Sequence, residues 1–320
     1  MRSLTSLEDT EYQHYIGGIS LEGKIEVEEI EEYLNLFLRD HYQELLEIIP
    51  EERKDVMEKI IGIIDVRNFK GIMTGISKEI PKEELKRVLV PSSTLPEEKF
   101  EMLLSAETID KLLDYLEGSD YYDAISEALE KRYEEEGVYS LIRALDKAYY
   151  GTLWEDVMGK KAQLSVLKNI IGTKLDMMNI KLIMRLKREE AQAETIAELL
   201  VPSYRLSDEI IKEMTVAESI QSAAEAASDT IYGPTLREGL RQFEKTGSLF
   251  QVEKALDEQF LKICREISVG QPFTLASPLT YIYLLETEVR NLRIVTRLKA
   301  EGVEPSRIKN TLLRKPEIEF

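Results

Sequence analysis
The chain has 320 residues, 43% of them hydrophobic and 32% charged, so it can bury a large core, and two or three units are expected rather than one oversized domain. A formal net charge of −18 argues against nucleic acid as a partner and against docking on anionic lipid, because phosphate contacts need clustered Lys and Arg. The single Cys264 excludes an internal disulfide, and the densest apolar run, residues 60–64, is far short of a membrane span.

Taken in order, the chain reads as helices separated by Gly, Pro and Ser. Residues 4–16 are short and mixed, contain Tyr12, and are broken by Gly17 and Gly18. A long helix is predicted over 26–49, with Ile30, Tyr33, Leu34, Phe37, Leu45 and Leu46 on its apolar face. Residues 54–76 form the next, followed by short amphipathic stretches at 82–90, 96–104 and 109–116. Helices follow at 121–132 and 138–153, parted by a charged turn at 134–137, and then a long one at 164–188. The pattern then recurs at 193–200, 208–214, 216–227, 232–243 and 249–267. An irregular segment at 270–278 precedes a helix at 281–299, and 305–313 closes the chain. No alternation of Val, Ile and Thr is long enough for a sheet, so the expected fold class is all-α.

One helix face is unusual. Steps of three and four place Leu284, Glu288, Asn291, Val295 and Leu298 on one side of the last long helix, with an acid and an amide where a core stripe should be apolar. Ile61, Asp65, Asn68 and Ile72 repeat the pattern, as do Asp176, Asn179, Ile183 and Leu186. The three Asn residues are 111 and 112 positions apart. Leu89-Val90-Pro91 recurs as Leu200-Val201-Pro202 at 111. Ala144-Leu145-Asp146 recurs as Ala255-Leu256-Asp257 at 111, with Tyr33-Leu34-Asn35 one period earlier. Coincidences of separate motifs at one spacing indicate an internal triplication, with repeats at 1–106, 107–217 and 218–320. The third repeat lacks counterparts of 95–116, so one of the three junctions is expected to be less complete than the others.

Each acid and amide stand at i, i+3, close enough to interact, and buried groups of this kind must be hydrogen-bonded. The reading weighed first is structural: the pairs Asp65/Asn68, Asp176/Asn179 and Glu288/Asn291 tie their helices to neighbouring backbone or to a base. Lys70, Lys181 and Arg293 stand two residues after each Asn, and Arg185 and Arg297 six residues after theirs. In the functional reading, some of these polar groups face a cavity and touch a partner. Trp154 and Phe273, bulky residues near irregular segments, are further candidate contacts, with burial in the core as the alternative.

The chain carries no complete nucleotide-binding motif. Gly159-Lys160-Lys161 lacks the remainder of a Walker motif, and no G-x-G-x-x-G is present. His14 and His41 are the only histidines, which disfavours a histidine-bearing metal site, and no catalytic, cofactor or metal residue is assigned. The acidic runs at 28–32 and 134–136 read as solvated faces. A hydrolase built on His, Asp and Ser depends on geometry that a sequence does not disclose.

The stripe Leu284-Leu-Glu-x-Glu-x-Arg-Asn-Leu-Arg-x-Val-x-Arg-Leu-Lys299 resembles the C-terminal signature of the C subunit of archaeal-type (A-type/V-type) ATP synthases, a relative of the d subunit of the vacuolar ATPase. Asp176-x-x-Asn-Ile-Lys-x-Ile-x-Arg-Leu-Lys187 resembles its middle copy, and Asp65-x-x-Asn68 its first. The resemblance implies an all-helical funnel of three pseudo-equivalent domains with pseudo-three-fold symmetry. It also implies a non-catalytic central-stalk role, linking central-shaft subunits to the membrane proteolipid ring. On this reading the chain is peripheral, on the cytoplasmic face of the membrane, with no cofactor, no nucleic acid and no membrane insertion of its own. The alternative is a free-standing helical repeat scaffold for basic protein partners.

Overall fold
The computed structural model describes residues 27–90, 95–159 and 165–316. The readings at 1–26, including Tyr12 and His14, and those at Pro91, Lys160, Lys161 and Leu164 lie outside the described residues. Among the described residues every regular element is a helix and there is no strand.

The helices in order are α1 (Val27–Ile48), α2 (Glu51–Ile61), α3 (Ile63–Ser77), α4 (Lys82–Val88), α5 (Glu97–Leu104), α6 (Ile109–Leu116), α7 (Tyr122–Glu136) and α8 (Val138–Gly159). They continue with α9 (Ser165–Arg188), α10 (Ala193–Glu198), α11 (Asp208–Val216), α12 (Ile220–Ala226), α13 (Gly233–Thr246), α14 (Phe250–Gly270), α15 (Ala276–Ala300) and α16 (Pro305–Thr311). Their ends follow local chemistry. Pro50, Pro81 and Pro96 stand immediately before α2, α4 and α5, each followed by two glutamates or by Lys-Glu-Glu that suit the helix N-terminal dipole. The Thr108 hydroxyl accepts from the Lys111 N–H at 3.1 Å to start α6, and Ser219 and Ser222 form a reciprocal cap on α12. Gly247, at φ 65°, ends α13 in the left-handed region that a side chain would strain.

Three expectations about boundaries are corrected. The single helix predicted over 54–76 is two: Gly62 separates α2 from α3, although its own backbone stays right-handed and its N–H still reaches the Glu58 carbonyl at 2.8 Å. Residues 134–136 are the last turn of α7 rather than a turn of their own, because Gly137, at φ 61°, is the residue that stops the helix. The irregular segment after Gly270 is shorter than predicted, since α15 starts at Ala276.

The chain divides into two compact units. One comprises Met1–Tyr149 with Leu285–Leu312, the other Tyr150–Leu284 with Leu313–Phe320. In the first, α1 packs on α4 and α3 on α6, around Phe37, Met57, Ile61, Ile72, Met73, Leu103 and Leu112. Glycine lets α3 sit close to its neighbours. A β-carbon on Gly71 would lie 2.5 Å from the Leu89 side chain, and one on Gly75 would lie 2.5 Å from Leu85. In the second unit, α13 and α14 form a tight pair, and α9 packs on α12 and α14 around Ile170, Leu175, Ile180, Ile183, Leu256 and Cys264. Burial pushes the Cys264 thiol up to about 12, which removes the reactive thiolate at neutral pH. Cys264 should therefore resist a thiol reagent at pH 8 in the folded chain and react fully in denaturant. Rapid labelling of the native chain would show that α14 opens readily.

Candidate functional site
The three acid–amide stripes are the natural place to look for chemistry. In the first two, the amide is a backbone staple. Asn68 Nδ2 donates to the Val90 carbonyl at 2.7 Å, and the Val90 N–H donates back to Asn68 Oδ1 at 3.2 Å. Asn179 does the same to Val201, at 2.8 and 3.0 Å. Both bonds span the same 22 residues, and both pin a valine, Val90 or Val201, that stands outside the helices. Asn179→Leu would strand two buried backbone groups, and should cost about 2–4 kcal/mol. Thermal melting reads this directly, and an unchanged Tm would move Asn179 from structure to partner binding.

Asp176 is equally committed. Asp176 is 0% exposed. It accepts from the Tyr204 N–H at 2.7 Å, the Arg205 N–H at 2.8 Å and the Tyr232 hydroxyl at 2.7 Å. Burial pushes its carboxyl pKa up while these donors oppose the shift, and the nearby carboxylate helps burial push the Tyr232 hydroxyl up in turn. Asp65 is buried beside Tyr121, the counterpart of Tyr232 at a spacing of 111. Burial, and then the Asp65 charge, push the Tyr121 hydroxyl up to about 12.

The third stripe is different, and here the expectation is corrected. Glu288 and Asn291 are only half-buried, as are Leu284, Val295 and Leu298. The buried positions of this helix are Ala276, Leu279, Thr280, Ile282, Leu285, Thr287 and Val289. Two apolar faces are available along α15, and its neighbours cover the other one.

The bases do not pair with the acids of their own stripes. Lys70 forms an ion pair with Asp146 on α8, and Lys181 with Asp257 on α14. Arg293 donates to the side-chain carbonyl of Asn35 on α1. In all three, the base two residues after an Asn reaches the last residue of Tyr33-Leu34-Asn35 or of its counterparts, across 76 residues in the two ion pairs. The signal was in the sequence, because both motifs repeat at the same period, but no local rule connects them.

Arg185 grips Glu253 with both arms, Nε at 2.5 Å and Nη2 at 2.7 Å. Arg297 grips Glu31 in the same way, with its second bond at 2.7 Å. These two candidate contacts are thus engaged within the chain. Trp154 is half-buried, its ring edge-on to Tyr204 with centroids 5.7 Å apart. Phe273 is 94% exposed and remains available to a partner. Sequence reasoning missed the bonds to Glu286, which accepts from the Tyr42 hydroxyl at 2.9 Å and from Arg67 at 2.8 and 3.2 Å.

These groups form a frame. The carboxylates of Asp146, Asp176, Asp257, Glu31, Glu253 and Glu286 are each spent on a donor fixed by the fold. No group of three His, Cys, Asp or Glu among the described residues could hold a metal. His41 donates through Nδ1 to the Phe37 carbonyl at 2.8 Å and packs on the Phe37 ring. No helix among the described residues is long and apolar enough to cross a membrane.

Residues 3–311 match the family model described as ATP synthase (C/AC39) subunit. The chain belongs to this family. The match takes in all three stripes, and with them every bond of the frame whose residues lie between 3 and 311. Similar proteins include the A-type ATP synthase C subunit of Methanocaldococcus jannaschii, 28% identical over 96% of this chain and 77% of that one. Those of Pyrococcus horikoshii and Desulfurococcus sp. are 26% and 28% identical, over 97% and 96% of this chain and 81% and 80% of theirs.

Proposed function
We propose that this chain is a non-catalytic coupling component of a rotary A-type/V-type ATPase, joining the central shaft to the membrane proteolipid ring and passing torque between them. The observation that carries this is a side-chain bond at the equivalent position three times, at Lys70–Asp146, Lys181–Asp257 and Arg293–Asn35, in a chain of the C/AC39 family. Repeated bonds at equivalent positions support an internal triplication, in which each stripe helix is clamped to the long helix of the following repeat and the third returns to the first. In our reading the three repeats surround a pseudo-three-fold axis as a funnel. A torque-bearing part needs stiffness, and bidentate Arg–carboxylate forks with two-way Asn staples supply it. The names of the relatives above, A-type ATP synthase C subunits, support the same assignment. The chain would then sit peripherally on the cytoplasmic side of the membrane, held by its partners.

The test is co-purification of the full chain with the shaft and proteolipid subunits from the same cells. Recovery of both supports coupling, and recovery of neither overturns it. ATP hydrolysis by the isolated chain would overturn the non-catalytic assignment. With a net charge of −18, binding to a basic partner surface should weaken as salt is raised from about 0.05 to 0.5 M.

A further inference from the structure
We propose that the junction between α1 and residues 286–300 of α15 is a polar latch, which opens more readily than the matching junctions and lets the end of α15 fray when it does. In the repeat it corresponds to the junctions at Lys70–Asp146 and Lys181–Asp257, but its chemistry differs in two respects. Where those have an ion pair, this one has Arg293 on a neutral amide, and the amide nitrogen of Asn35 is already spent on the Arg87 and Leu89 carbonyls at 3.1 and 3.2 Å. No residue from 290 to 300 is buried, whereas the matching stretch of α3 buries Phe69, Ile72 and Met73, and that of α9 buries Ile180, Ile183 and Met184.

Beyond Val289, its last buried apolar side chain, this end of α15 makes polar bonds from Arg293 to Asn35 and from Arg297 to Glu31, and Glu286 bonds Arg67 and Tyr42. The side chains of Arg297 and Arg67 are 58% and 51% exposed. Pairs with exposed cations hold weakly and are screened by salt, while buried apolar side chains hold more strongly and are not. A segment with few buried apolar groups opens at lower free energy than the core beside it. The bonded residues are 219 to 266 positions apart, so opening removes tertiary support from 290–300, where the helix end then frays. A latch of this kind lets the chain close around a partner instead of being threaded by it. That use rests on the proposed coupling role, whereas the opening is a property of the isolated chain.

Hydrogen exchange on the isolated full chain tests it. Amides at 290–300 are expected to exchange at least about ten-fold faster than those at 180–188, the matching end of α9, and faster still in added salt. Glu31→Arg and Arg297→Glu should each raise exchange at 290–300 and leave 180–188 unchanged, and the double variant should restore protection. If the charge reversals disturb folding, Arg297→Lys serves instead, and should raise exchange at 290–300 alone because it keeps the charge but loses the fork. Equal protection of the two stretches, indifference to salt, or a variant that loosens 180–188 equally would overturn the latch. Should exchange behave as expected while co-purification fails, the latch stands and the coupling role falls.

Discussion

Asp176→Ala is expected to destabilise the chain by about 3–5 kcal/mol, among the largest effects of any single side chain outside the apolar core. The substitution removes the acceptor of two part-buried backbone N–H groups and one buried phenol. Each stranded donor keeps its desolvation cost and loses its bond. Asp176→Asn should cost less, because one oxygen remains, although its NH2 group must then face a donor. Chemical denaturation read at α9 measures both. A pH series adds a signed check. Burial raises the folded-state pKa of Asp176, so the folded chain holds this proton more tightly than the unfolded one does. The group's contribution is then greatest below the ordinary carboxylate range and declines as pH rises from that range to the raised folded value. Asp176→Asn should lack this decline. An Asp176→Ala chain that melts like wild type would mean the carboxylate is retained for a partner instead of for the frame.

Gly233→Ala comes next in expected size. Gly233 opens α13, directly after Tyr232, and a β-carbon there would stand 1.9 Å from the Ser228 carbonyl oxygen and 2.6 Å from its carbon. A flexible side chain could move aside, but this obstacle is backbone. The turn is closed by Gly233 N–H donating to the Thr230 carbonyl at 3.1 Å. Relief requires the turn to open, at a cost of about 2 kcal/mol or more, and opening shifts Tyr232 away from Asp176. The two substitutions should therefore be non-additive, with a double variant less damaged than the sum of the singles. Strict additivity would show that Gly233 and the Asp176 site are independent.

These two residues illustrate what could and could not be read in advance. Asp176 and Asn179 drew attention because an acid and an amide interrupt an apolar helical stripe, and the reason such residues survive there is backbone satisfaction at Tyr204, Arg205 and Val201. Gly233 drew none. Nothing in a sequence shows that a carbonyl five residues upstream folds back onto that Cα. The same holds for Lys70, Lys181 and Arg293. Their presence beside each Asn was legible, but their partners lie on other helices, and burial there is what makes a charged group choose one partner over another.

The sequence by itself determined the helices, their order and the period that links Asn68, Asn179 and Asn291, because helical periodicity, caps and breakers act within a few residues. It also carried the family signature. Only the tertiary structure decided which stripes are buried. Asp65/Asn68 and Asp176/Asn179 are enclosed, while Glu288/Asn291 on the same pattern are half-exposed. The physical reason is that burial depends on what packs against a face. A helix with two plausible apolar faces, such as α15, leaves that choice to its neighbours, which include α14 and helices from the opposite end of the chain.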